Sequence, residues 1–140
     1  MKTVYDYETG KTLPIIKTHK LPGRLPTVIW AEGVKISHTL TGGNILLKKG
    51  LTLKSFTFHH ELGHIIVHET SRSSLDKLVR QARELEPYPT FTAFFSSQDL
   101  DEFLPSLYAL YKVSPEKVKS YPAWLAIVKL LDKTRLRLSK

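Results

Sequence analysis

The sequence predicts an α+β fold: a small antiparallel sheet packed on one central helix, with further helices behind it. Three observations predict it. Residues 27–47 alternate short runs of strand formers with glycine turns, residues 53–69 repeat apolar side chains at helical spacing, and later periodic segments are helical. Strands first and helices second is the α+β order. The chain has 140 residues, 41% hydrophobic and 24% charged, enough for one domain with its own core, so residues 1–140 are read as a single unit.

The opening through residue 26 is expected to be irregular, because Pro14, Pro22, Gly23 and Pro26 punctuate it. Thr27–Ala31 (TVIWA) is rich in strand formers and is turned by Gly33; residues 34–38 are a second strand. A turn at 41–43 (TGG) leads into a strand at 44–47 (NILL), which stops at 48–50. As an edge strand, 44–47 would offer backbone donors and acceptors to an extended peptide. In 53–69 (LKSFTFHHELGHIIVHE), Phe58, Leu62, Ile65 and Ile66 recur at three- and four-residue spacing, the pattern of a largely buried helix. Residues 75–85 form a charged helix that ends before Pro87, and 91–98 are partly irregular. Residues 99–111 (DLDEFLPSLYALY) are helical in period around Pro105; Ser114 and Pro115 then cap a short helix, and 123–138 close the chain as the last. Tyr111 and Trp124 are expected in the core.

With no cysteine, disulfides and thiolate metal sites are excluded, and any transition-metal site must use histidine, aspartate or glutamate. The formal charge of +8 is uneven: residues 112–140 carry eight basic and two acidic side chains, whereas 27–111 carry eight and nine. The excess, including Lys129, Lys133, Arg135, Arg137 and Lys140, therefore reads as the solvated face of the closing helix, a weaker case for nucleic acid or an acidic partner. No window approaches eighteen consecutive apolar residues and the first ten lack a signal-peptide core, so no membrane partner and a cytoplasmic location are expected, with delivery outside the cell by another route left open.

The chemistry lies in His60-Glu61-Leu62-Gly63-His64, an HExxH motif on the predicted buried helix. Residues four apart share a helix face, so both imidazoles can point at one ion, while Glu61 sits about 100° round, within reach of a water on it. Zinc would polarise the water and the scissile carbonyl, and Glu61 would act as general base and then acid. Gly63 would let another element approach closely. The histidine extension of the longer motif is missing, with Val67 and Thr70 at its positions, so an acidic third ligand is expected. Glu69, Glu84, Glu86, Asp99, Asp101 and Glu102 are the candidates. Glu69 lies too far along the same helix, and Glu84 and Glu86 look solvated. Glu102 opens a helix whose Phe103, Leu107 and Leu110 must pack inward, and it is the choice; Asp101 is its expected supporting neighbour, hydrogen-bonded to a histidine. His68 follows His64 by one turn and suits a helix-surface or substrate contact. His59 reads as a packed or exposed side chain, and His19 and His38 carry no signal.

Residues 101–111 (DEFLPSLYALY) followed by SPEKVKSYPAWLAIVKLL resemble the closing part of the lethal-factor-like zincins, the group that holds the Pro-Pro endopeptidases. The separation of 42 between His60 and Glu102 is similar to that group's. FTFHHELGHIIVHE is in turn similar to the motif helix of the repressor-cleaving metallopeptidases of mobile elements, the ImmA/IrrE group. Each resemblance spans roughly residues 27–130, and both imply a zincin-like fold, a zinc ion on His60, His64 and Glu102, and Glu61 as catalyst. The first also implies a transition-state tyrosine seven residues before the ligand glutamate. Phe95 stands there, so Tyr88, another tyrosine such as Tyr108, His59 or a water takes that role, or the chain cuts weakly or not at all.

The expected function is zinc-dependent cleavage of a peptide bond in a protein substrate by a monomer. The alternative is a zincin scaffold without turnover that binds a partner or nucleic acid through its basic C-terminus.

Overall fold

The computed structural model describes residues 2–85 and 100–140. Its elements are β1 (Thr3–Asp6), β2 (Lys11–Lys20), β3 (Thr27–Ala31), β4 (His38–Thr39), β5 (Ile45–Leu47), α1 (Phe56–Glu69), α2 (Arg72–Leu85), α3 (Leu100–Val113), α4 (Pro115–Lys119) and α5 (Pro122–Leu138). The α+β order stands, with two corrections. The opening segment is not irregular: β1 and β2 form an antiparallel hairpin. Asp6 organises its turn, accepting from the Glu8 amide (3.0 Å) and the Thr9 hydroxyl (3.1 Å). Pro14 is tolerated because it lies past the last paired position of β2 with β3, Ile15 opposite Ala31, and its carbonyl still accepts from the Glu32 amide (2.9 Å).

The sheet is also mixed rather than antiparallel. Its order is β1-β2-β3-β5-β4, and β3 and β5 run parallel. The 44–47 segment is thus internal, and the edge beside the helices' cleft is β4, later and shorter than the strand expected at 34–38. β3 and β5 are buried on both faces, as their unbroken apolar runs require. Val28, Trp30, Ile45 and Leu47 face the helices in the main core. Ile29, Ala31 and Leu46 face a smaller cluster with Leu13 and Val34, closed by the curl of the hairpin.

The main core joins this sheet to all the helices: Phe58, Leu62 and Ile66 of α1, Leu75 and Val79 of α2, Phe103, Leu107 and Tyr108 of α3, and Trp124 and Ile127 of α5. Trp124 is fully buried, edge-on to Phe103 at 5.4 Å between ring centres. No helix among the described residues is long and apolar enough to cross a membrane.

Candidate metal centre

α1 is capped by Ser55, whose Oγ accepts from the Phe58 amide (3.3 Å). Phe58, Leu62 and Ile66 then bury one stripe of the helix, which turns His60 and His64 to another. Four residues apart, their rings lie 4.7 Å between centres and nearly perpendicular. α3 repeats the device. Phe103, Leu104 and Leu107 bury one side, and Glu102 and Ser106, also four apart, share the side facing α1.

The two helices meet at Gly63. A Cβ there would lie 2.9 Å from Pro105 Cα and 3.0 Å from Pro105 O, inside van der Waals contact with backbone. Glycine is thus what lets α3 come this close, as the sequence anticipated, and the approaching element is the Pro105 turn between Glu102 and Ser106.

At that crossing His60 Nε2 lies 3.1 Å from His64 Nε2 and 3.1 Å from Glu102 Oε2, and His64 Nε2 lies 3.3 Å from Glu102 Oε1. Two imidazoles and a carboxylate converging in this way can hold a metal ion. Ser106 Oγ lies 2.8 Å from His60 Nδ1. With its hydrogen on Nδ1, His60 donates to Ser106 and leaves the Nε2 lone pair facing the group. Glu61 is buried beside the cluster and accepts from Thr39 Oγ of β4 (3.1 Å). Burial pushes its carboxyl above the usual carboxylate range, while the His64 ring and the Thr39 hydroxyl pull the other way. Burial, and then the neighbouring His64, push His60 down, which favours the neutral ligating form, against a counter-pull from Glu102.

No protein-family model, characterised protein or solved structure matches this chain. Its chemistry must be read from its own residues.

Of the residues singled out in the sequence, the fold brings together His60, Glu61, His64 and Glu102. It does not bring Asp101, which is exposed on α3; the position expected of it, against a histidine, belongs to the buried Ser106. Tyr108 also stays away. Six residues past Glu102 is about 240° round the helix, and the side chain is fully buried against His59 (6.5 Å) and under the Lys112 ammonium (5.5 Å). Its hydroxyl has no hydrogen-bond partner among the described residues, and burial pushes its pKa up. Tyr108 is thus a core residue, not the hydroxyl of the cleft. Tyr88, Phe95, Glu86 and Asp99 lie outside the described residues. Glu84 is exposed on α2, apart from the cluster. His59 packs between Phe58 and Tyr108, and burial, then Lys112 and Arg135, lower its pKa to about 4.

Two cavities flank the cluster and share Glu61 and Glu102. The smaller, about 260 Å³, is lined by Ser37, Phe56, Thr57, His60 and Ser106. The larger, about 580 Å³, is lined by Tyr7, His38, Thr39, Gly43, His64, Ile65, His68 and Glu69. His68 is exposed on the surface of α1, on the wall of the larger cavity. Sequence reading missed Ser106, Thr39, and the trio Asp6, Tyr7 and His38. The four-residue spacing from Glu102 was a usable signal for Ser106. No local signal marked the others, which arrive through the curl of the sheet.

Proposed function

We propose that this chain is a zincin-like, zinc-dependent metalloendopeptidase with an extended protein segment as substrate. The observation that carries the reading is the convergence of the His60 and His64 Nε2 atoms on the Glu102 carboxylate. Ligands at about 2.0–2.1 Å around a tetrahedral zinc lie about 3.3 Å from one another. Here the two Nε2 atoms lie 3.1 Å apart, and each faces a different oxygen of the Glu102 carboxylate, at 3.1 and 3.3 Å, so the spacing is close to that of such a shell. A set of two nitrogens and one carboxylate is also the donor set of hydrolytic zinc sites, which keep a fourth position for water.

His60, His64 and Glu102 would hold the ion. When bound, zinc supplies Lewis-acid polarisation of a water and of the scissile carbonyl. Glu61 lies beside the cluster with one carboxylate oxygen fixed by Thr39. It takes a proton from the attacking water, whose oxygen bonds to the carbonyl carbon, and returns that proton to the amide nitrogen as the C–N bond breaks. The products are a carboxylic acid and an amine, so the atoms balance. The cavities on either side of Glu61 and Glu102 give a chain lying across the centre room in both directions.

The test is metal content together with turnover. Wild type and Glu61→Ala should each carry about one zinc per chain, and wild type should cut unfolded casein while Glu61→Ala loses about 10²–10⁴-fold of the rate. A protein that takes up no stoichiometric zinc at neutral pH overturns the reading. So does a Glu61→Ala variant that cuts as fast as wild type. Stoichiometric zinc without cleavage would instead favour a binding module, for which the exposed Lys129, Lys133 and Arg137 of α5 are the available surface.

A further inference from the structure

The outer edge of β4 is already occupied by a side chain from the far end of the sheet. The Leu40 amide donates to the Asn44 carbonyl (2.6 Å). Hydrogen-bonded pairs alternate along an antiparallel ladder. Thr39, opposite Ile45, therefore turns its own N–H and C=O away from β5. The Tyr7 hydroxyl donates to that carbonyl at 2.8 Å.

Tyr7 stands on the turn between β1 and β2, and further contacts fasten the turn to β4. The Tyr7 ring meets the His38 ring edge-on, 5.0 Å between centres, and Asp6 Oδ1 lies 3.2 Å from His38 Nε2. His38 Nδ1–H donates to the Ile36 carbonyl (2.8 Å), which fixes the ring against which Tyr7 lies. A core role does not explain Tyr7: it is 47% exposed and lines the larger cavity with Glu61, His64 and Glu102. Thr39 thus reaches both ways, holding Tyr7 through its carbonyl and Glu61 through its hydroxyl.

We propose that Tyr7 occludes the edge on which the peptide would add: its hydroxyl stands where the N–H of an added strand would bind, and an incoming chain must take the Thr39 carbonyl from it. The inference rests on reading the cleft as a peptide site. An N–H bonded to an edge carbonyl sits about 2.9 Å from it, the place the Tyr7 oxygen fills, so the ring has to swing aside. Only an extended segment, with a free backbone N–H and little bulk, can slide between the hairpin turn and β4. The substrate class is accordingly unfolded or loop segments rather than folded surfaces. Burial and the carboxylates of Glu8, Glu61 and Asp6 push the phenol upward where it holds Thr39, in keeping with its role as an O–H donor there.

Two variants separate this from other roles. Tyr7→Phe keeps the ring on His38 and loses the hydroxyl; Tyr7→Ala loses both. With unfolded casein as probe, zinc-loaded Tyr7→Phe should show KM lowered about two- to tenfold, the weight of one ordinary hydrogen bond. Tyr7→Ala should show a larger drop, with kcat/KM rising through KM rather than kcat. Binding of fluorescein-labelled unfolded casein to zinc-loaded Glu61→Ala, with and without each Tyr7 change, should tighten in the same order. KM that is unchanged or raised in both variants overturns the proposal. A fall in kcat also overturns it, because Tyr7 would then act on the reacting carbonyl rather than on entry. If wild type cuts nothing while binding still tightens, the peptidase reading fails and the role of Tyr7 stands.

Discussion

Ser106 is held beside His60 by helix spacing: four residues after Glu102, it lies one turn along the same face, and Phe103, Leu104 and Leu107 bury the side behind it. A hydroxyl there can accept from His60 Nδ1–H and so support the tautomer that ligates through Nε2, and removing it strands a ring nitrogen with no partner of comparable geometry. Ser106→Ala should therefore weaken zinc binding about 10–100-fold, measured by competition with a chromogenic chelator. Glu102→Ala should weaken it further, since it removes a ligand rather than a ligand's support. Unchanged affinity in Glu102→Ala would remove Glu102 from the ligand set. At this scale the site was mostly legible in the sequence, because the relation between His60, Glu61 and His64 is a rule of helix geometry and needs no tertiary information. Glu102 was legible for a weaker reason, the inward periodicity of Phe103 and Leu107. Asp101 was misplaced because adjacency in sequence is 100° of rotation on a helix, enough to carry it from the cleft to solvent.

At the scale of elements, the site is the crossing of α1 and α3, and Gly63 sets how close that crossing is. Gly63→Ala brings two opposed effects. Alanine gains about 1 kcal/mol of helix propensity over glycine. Its methyl group would lie 2.9 Å from Pro105 Cα, a backbone atom that cannot swing away as a side-chain end could. Overpacking of this kind costs about 1–3 kcal/mol, so the net change should be destabilising. Because the histidines ride on α1 and Glu102 on α3, zinc affinity should fall as well. Denaturant melts and chelator competition on one sample check both, and a variant that gains stability with unchanged affinity would contradict the close approach. The longer helices were readable from the sequence because their apolar side chains keep a helical period, and α4 and α5 also begin at a proline. The sheet was less so. The parallel pairing of β3 with β5 depends on where the 34–44 connection returns, and alternation within NILL does not encode that. The hairpin at residues 3–20 was obscured by Pro14, which in fact sits past the last β2–β3 pair, Ile15 with Ala31, and still accepts from the Glu32 amide through its carbonyl (2.9 Å).

For the whole molecule, the proposed zinc ion would either build the fold or only add to it. The core argues for the second. Trp124, Tyr108, Phe103, Ile45, Leu62, Ile66 and Leu131 are all essentially inaccessible to solvent and none depends on a ligand at the cluster. The hairpin edge also closes onto β4 through Asp6, Tyr7 and His38 without one. The metal-free chain should therefore stay folded, unlike a zinc finger, whose small core cannot stand alone. Zinc should still stabilise it by mass action: at 100 times the Kd the increment is about 2.7 kcal/mol. For a chain near this size each kcal/mol moves Tm by roughly 2–4 °C, so calorimetry with and without zinc should show a rise of about 5–10 °C that a chelator reverses. Protons compete with the ion for the imidazole lone pairs. The increment should accordingly shrink on going from pH 7.5 to pH 5.5, while the Tm of the chelated protein supplies the baseline at each pH. Loss of the cooperative melt on chelation would mean that α1 and α3 cannot hold their crossing without the ion. A Tm indifferent to zinc at pH 7.5 would mean that the three donor atoms converge without binding it.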